Sequence, residues 1–160
     1  MTTDLFTLLG RDHHDLQKEL DALLAPGSPV VQLRASLDGV RLGLTAHAEA
    51  EEIVLGRYER HPIVGPAVAS TRGAHLAQEA ALAGLVGASP GTVQWHDRAY
   101  ALRELVRFHH AQEARLLQPI LRAELAPAEY AELAGRFATE RLRQLSLLQP
   151  STPVSYARMA

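Results

Sequence analysis

The chain has 160 residues, and its 16 Lys and Arg residues nearly balance its 18 Asp and Glu residues, leaving a formal net charge of -2. This balance, with the basic residues scattered among the acidic ones, excludes the basic surface that nucleic acid or an anionic membrane would require. The sequence contains no Cys, which excludes disulfides, thiolate metal sites and a cysteine nucleophile. No apolar run approaches the roughly 20 residues that span a bilayer, and no signal-like leader opens the chain, so we expect a cytoplasmic protein.

Apolar residues recur at helical spacing along most of the chain, and Pro and Gly mark the breaks between these segments. Five helices are predicted, covering residues 3–24, 29–58, 66–86, 92–125 and 127–148. Pro119 lies inside the fourth segment and is expected to kink it or to loosen its last turns. The tail, residues 149–160, is expected to be irregular.

Short connections between long amphipathic helices favour antiparallel neighbours. The fold class predicted is therefore all-α, an up-down-up-down four-helix bundle with an additional C-terminal helix. We expect one domain at 1–148, with its core at about 4–125 and its last helix at about 127–148. An orthogonal helical bundle is the alternative, and helices this long make it the weaker one.

Each of the first four predicted helices carries a His on its apolar face. These are His13, His47, His75 and His109. Two of them are followed one turn later by a Glu, giving the pairs His47–Glu51 and His109–Glu113. In the third helix we place Val68, Arg72, His75, Glu79 and Leu82 on one face, which makes Glu79 a further candidate. In the fourth, Leu105 and Leu116 are predicted to flank the His–Glu pair on the buried side.

The spacing of these residues repeats. His13 and His47 are 34 residues apart, as are His75 and His109, and the first His–Glu pair recurs 62 residues later. The two halves therefore resemble two copies of one helical hairpin. Packed together, they would bring four imidazoles and two carboxylates to the same level of the bundle.

A buried cluster of this composition is expected to bind metal. Burying an unpaired carboxylate costs several kcal/mol or raises its pKa until it protonates. Two divalent or trivalent ions would neutralise the carboxylates, and imidazole favours iron, zinc or copper over magnesium or calcium. The set predicts a dinuclear site that leaves positions open for a small ligand.

These motifs resemble those of hemerythrin-like proteins of the HHE cation-binding family. The matching elements are "DHHDL" from Asp12, the His47–Glu51 pair followed by Glu52, His75, and "HHAQEARLLQPIL" from His109. The resemblance covers about residues 4–125 and implies a four-helix bundle with a non-haem di-iron site, without haem or nucleotide. It also implies that Glu51 and Glu113 bridge two iron ions and that the four histidines are terminal ligands.

The chain departs from oxygen-carrying hemerythrins at one position, because Glu79 stands where they have a second His of the third helix. Glu79 is therefore an oxygen ligand, an outer acceptor, or a partner of Arg72. His14 and His110 adjoin two of the ligand candidates, and either is an alternative to its neighbour.

The function expected is binding or processing of dioxygen, peroxide or nitric oxide, or sensing or storage of iron. One alternative is a redox enzyme or iron-centre repair factor acting with a partner, and another is a metal-free helical interaction module. The sequence identifies neither a reductant nor a protein partner.

Overall fold

The computed structural model describes residues 4–149, and this part of the chain contains helices and turns but no β-strand. The all-helical prediction is confirmed. The α-helices are α1 (Leu5–Leu24), α2 (Val30–Leu55), α3 (Val64–Val86), α4 (Val93–Gln112), α5 (Gln118–Glu124) and α6 (Pro127–Leu148). A 3-10 turn at Gly56–Tyr58 extends α2, and a π-helical segment at Glu113–Leu117 joins α4 to α5. The predicted tail lies outside the described residues except for Gln149.

Local chemistry fixes where the helices begin and where the chain turns. The Asp4 carboxylate accepts a hydrogen bond from the Thr7 backbone N–H at 2.9 Å, and the Thr92 hydroxyl caps α4 in the same way. Gly27 and Gly91 adopt positive φ angles of 74° and 80° in the turns after α1 and before α4, where a side chain would be strained. These turns define the limits of the helices that carry the histidines.

The first four helices each pack against two of the others around these histidines. Helix α1 packs against α2 and α4, and α3 packs against α2 and α4. Helix α6 lies along α2 and also contacts α1. The last helix therefore covers one side of the first hairpin.

Two apolar clusters lie on either side of a polar layer. One cluster contains Leu20, Leu44, Leu82 and Leu102, and the other contains Leu9, Val54, Val68, Leu121 and Phe137. Along α1 and α3 the chain passes from the second cluster to the first, and along α2 it passes from the first to the second. Helix α4 packs in the first cluster, and the chain reaches the second cluster in the π-helical segment and α5 that follow it. In each of these helices the candidate His falls between the two clusters, so apolar packing on both sides encloses one polar level.

Candidate metal centre

Six of the seven predicted site residues are buried together at this polar level. They are His13, His47, Glu51, His75, His109 and Glu113, none more than 4% exposed. They form two overlapping groups in which one ligand atom from each residue lies within 4.8 Å of the others. The first group is His13, His47, His109 and Glu113, and the second is His47, Glu51, His75 and His109. Each group can hold a metal ion, and His47 and His109 belong to both.

Glu51 lies at the centre of the second group. Its Oε2 atom is 3.2 Å from His75 Nε2, 3.6 Å from His47 Nε2 and 3.7 Å from His109 Nε2. The Nε2 atoms of His75 and His109 are themselves 3.1 Å apart. One carboxylate oxygen therefore faces three imidazole nitrogens supplied by three helices.

Glu113 has the corresponding place in the first group. Its Oε1 atom is 2.9 Å from His109 Nε2, and its Oε2 atom is 3.5 Å from His13 Nε2. The His13 ring lies edge-on to the His47 ring at 4.5 Å between centroids. Each of the two carboxylates thus contacts more than one of the imidazoles.

Most polar atoms of this layer have no hydrogen-bond partner. Both carboxylate oxygens of Glu51 and of Glu113 are without one, as are both ring nitrogens of His13 and the Nε2 atom of His47. The short distances between these carboxylates and imidazoles therefore do not have hydrogen-bond geometry. Buried polar groups in folded proteins nearly always have a hydrogen-bond partner. Leaving them unpaired costs about 1–3 kcal/mol each, and more for charged groups. Nitrogen and oxygen lone pairs that converge without partners fit a metal ion, and imidazole with carboxylate suits iron, zinc or copper.

The protonation of the cluster is strongly perturbed. Burial alone would raise the pKa of Glu51, but contacts with His109 and His75 hold that pKa well below its usual value. Burial, together with the nearby charge of Glu51, raises the pKa of Glu113 well above its usual value. Burial alone would lower the pKa of His109, but its contacts with Glu113 and Glu51 raise it to about 10. The shifts of Glu113 and His109 both favour their protonated forms, and a metal ion that bound here would compete with those protons.

Two outer carboxylates hold the imidazoles in place. Asp12 Oδ2 lies 3.4 Å from His47 Nδ1 and also accepts a hydrogen bond from Arg141 Nε on α6. Glu52 Oε1 lies 3.1 Å from His75 Nδ1. When Nδ1 carries the proton, each carboxylate accepts it and leaves the Nε2 lone pair facing the cluster, which is the usual arrangement around metal-binding His. The roles of Asp12 and Arg141 were missed from sequence.

The structure does not bring Glu79 into the cluster. Its side chain is exposed and belongs to neither group, whereas Gln78 is 1% exposed. Arg72 is exposed too, and Thr71 takes its place on the buried side. The buried stripe of α3 therefore lies one residue before the predicted face at these positions.

The alternatives to two ligands lie outside both groups. His14 is exposed. His110 is also exposed, and its ring stacks on that of His13 with 4.5 Å between centroids. His110 therefore covers a ligand candidate from the outside.

Glu113 begins the π-helical segment that ends at Leu117. The Gln118 N–H donates to the Glu113 carbonyl, an i→i+5 bond, and Pro119 follows immediately. The expected disturbance near Pro119 therefore takes the form of a π turn directly before it. In this turn Leu117 is buried and Leu116 is 53% exposed, which corrects the prediction that Leu116 faces the core.

Clefts lead from the surface to several of these residues. One of about 280 Å³ is lined by Arg122, His110 and Glu113 among others. Another, of about 250 Å³ and with a mainly apolar lining that includes Ile120 and Leu117, reaches Glu113 and His109. A small molecule in either cleft would therefore lie beside residues of the buried layer.

Among residues 4–149, no helix has the length and apolar character needed to cross a membrane. No protein-family model matches the chain, and neither the curated proteins nor the solved structures compared with it gave a match.

Proposed function

We propose that this chain is a hemerythrin-like, non-haem di-iron protein of the HHE cation-binding type, which binds two metal ions and presents them to a small ligand. The observation that carries the proposal is the buried layer of four imidazoles and two carboxylates, in which most polar atoms, including all four carboxylate oxygens, have no hydrogen-bond partner. A metal-free interaction module would have no compensation for these groups, because buried polar side chains normally find partners.

The number of ions is supported by the overlap of the two groups. His13 and Glu113 belong to the first group only, and Glu51 and His75 to the second only. Glu51 approaches three imidazoles and Glu113 approaches two. The resemblance implies that these carboxylates bridge the ions and that the histidines are terminal ligands. Each carboxylate approaches at least one imidazole that the two groups share.

The fold gives the proposal independent support. The order in which each helix passes between the two apolar clusters is the one expected of an up-down-up-down bundle. The contacts of α6 are compatible with an added helix along that bundle. Di-iron carboxylate proteins use the same principle, with inward His and Glu from four helices.

Iron, when bound, supplies open coordination positions and redox electrons for dioxygen, peroxide or nitric oxide. The chain's own residues fix the ligand set and exclude bulk water. Glu51 and Glu113 offset the positive charge, while Asp12 and Glu52 orient His47 and His75. The apolar cleft that reaches Glu113 and His109 suits an uncharged diatomic ligand.

Metal analysis of His variants tests the proposal. Protein from iron-supplied cells should contain about two irons per chain, as di-iron carboxylate bundles do. His13→Ala removes a ligand of the first group only and should lower the content to about one, whereas His47→Ala should lower it further. His14→Ala is the matched control, because His14 is exposed on the same helix, and it should retain the full content.

Bound metal should also stabilise the fold, by about 2.7 kcal/mol at a metal concentration 100 times the Kd. A wild-type protein that takes up no transition metal would refute the proposal. Full metal content in His47→Ala would refute the ligand set. An optical spectrum of the iron-loaded protein, with and without azide or peroxide, then separates reversible ligand binding from turnover.

A further inference from the structure

A narrow cleft between α2 and α3 leads to the buried layer from its acidic side. It has a volume of about 100 Å³, which is room for several water molecules. Glu49 and Glu52 line it from α2, and Glu79 and Gln78 line it from α3. We call it the acidic cleft. Of the six buried metal-ligand candidates, His75 is the one that it reaches.

Gln78 is the unusual residue of the acidic cleft. Its side chain is 1% exposed, and neither its amide nitrogen nor its amide oxygen has a hydrogen-bond partner. It lies on α3 one turn after His75, and both residues line the acidic cleft. A buried amide whose nitrogen and oxygen both lack partners lowers the stability of the fold unless a polar group or a cation binds there.

The charges of the neighbouring clefts differ. No Lys or Arg is among the described residues that line the acidic cleft. The cleft that reaches Glu113 beside His110 contains Arg122, and the one that reaches Glu51 contains Arg72, which lies 3.5 Å from Glu52 and 3.0 Å from Glu59. The mainly apolar cleft that reaches Glu113 and His109 also has no Lys or Arg among its described lining residues, but its one carboxylate is the buried Glu113. The acidic cleft combines the absence of basic side chains with the exposed carboxylates of Glu49 and Glu79, so it attracts an approaching cation more strongly.

We propose that the acidic cleft is the path by which a divalent transition-metal cation enters the buried layer, with Glu49 and Glu79 attracting it and the Gln78 amide oxygen receiving it before His75. This inference rests on the proposed metal-binding function and gives a role to Glu79 outside the ligand set. Glu52 is left to orient His75 through its 3.1 Å contact with Nδ1. Carboxylate and amide oxygens suit a partly hydrated cation, whose final ligands are the nitrogens and oxygens of the interior.

The test is the rate at which metal-free protein takes up Co²⁺, followed by stopped-flow absorbance. Acidic clefts raise the local cation concentration, so we expect Glu49→Gln with Glu79→Gln to slow uptake by about three- to tenfold, and Glu79→Gln alone by about twofold. The final metal content should not change. Added salt should slow the wild-type protein more than the double variant, because it screens the attraction that the variant lacks.

The matched control is Glu19→Gln with Glu124→Gln, which removes the same charge from two exposed side chains that line none of these clefts. If the cleft variants take up metal as fast as this control with full final content, the inference is refuted while the metal centre stands. If the wild-type protein binds no metal, the proposed function itself fails.

Single variants locate the path more closely. Glu49 also lines the cleft that contains Arg72, but Glu79 lines only the acidic cleft. Slower uptake by Glu49→Gln with no effect of Glu79→Gln would therefore place entry at the other cleft and overturn the inference. Gln78→Leu should slow uptake by at least as much as Glu79→Gln and raise the melting temperature of the metal-free protein, since it removes an unpaired buried amide. Unchanged uptake by this variant would remove the amide from the path and contradict the inference.

Discussion

Asp12 connects a shared ligand candidate to the last helix, and its replacement should weaken metal binding. Its Oδ2 atom faces His47 Nδ1 at 3.4 Å and accepts a hydrogen bond from Arg141. In Asp12→Ala the imidazole loses the acceptor that keeps its proton on Nδ1 and its lone pair on Nε2. Because His47 belongs to both groups, metal binding in either group should be weakened.

The size of the effect follows from the geometry. Removing the hydrogen-bond partner of a metal-binding His costs about 10–100-fold in metal affinity, which corresponds to about 1.4–2.7 kcal/mol. The 3.4 Å contact is long, and Arg141 offsets part of the carboxylate charge, so we expect about tenfold, the lower end of that range. Arg141→Gln should have a smaller effect, because Asp12 still faces the ring in that variant.

The measurement is competition for Zn²⁺ or Co²⁺ between the metal-free protein and a chromophoric chelator of known affinity. Asp15→Ala is the control, since Asp15 lies on the same helix, is 70% exposed and pairs with Lys18 at 3.7 Å. A thermal melt of each metal-free variant separates lost folding from lost binding. Equal affinities of the Asp12 and Asp15 variants would refute the role of Asp12 as a positioning residue.

Two further predictions concern the metal-free fold. A Cβ atom on Gly65 would overlap the Glu59 carbonyl oxygen, so Gly65→Ala should lower the free energy of unfolding by about 1–3 kcal/mol. Gly73→Ala, in the same helix with open space around it, should raise it by about 0.5–1 kcal/mol, and urea unfolding of both variants checks the contrast. The raised pKa of His109, about 10, means that its contribution to stability is complete below its ordinary pKa of 6.5 and is lost as the pH rises toward 10. The unfolding free energy of the metal-free protein should therefore fall between pH 7 and 10. If the unfolding free energy of a His109→Gln variant falls as steeply over this range, the pH dependence does not come from His109.

The sequence was sufficient to place six of the seven site residues at one level. Each lies on an apolar seam of a long helix, and helical geometry brings residues three or four positions apart to one face. The repeat of the His–Glu pair then relates α2 to α4. No comparable signal connects Asp12 with Arg141, which are 129 positions apart, because charged residues at the edge of a buried face carry no periodic pattern.

Helix α3 shows why spacing alone could not place Glu79. Steps of three and four residues connect Val68, His75 and Leu82 equally well through Arg72 and Glu79 or through Thr71 and Gln78. The structure buries the second stripe. Burying a charged side chain without a partner costs more free energy than burying an uncharged one. The residue types, rather than their spacing, therefore indicated that Thr71 and Gln78 face the core.

The π segment has one physical cause and two consequences. Pro119 has no N–H and its ring would clash with the Arg115 carbonyl in a regular α-helix. The i→i+5 turn before it holds about one more residue than an α turn.

From His109 the buried positions run in steps of four, through Glu113 and Leu117 to Leu121. In an α-helix each such step passes a full turn by about 40°, so three of them would rotate the last leucine away from the core. The wider π turn compensates for this rotation, so Leu121 still faces the core. The same proline therefore accounts for the exposure of Leu116 and for the backbone conformation that begins at the ligand candidate Glu113.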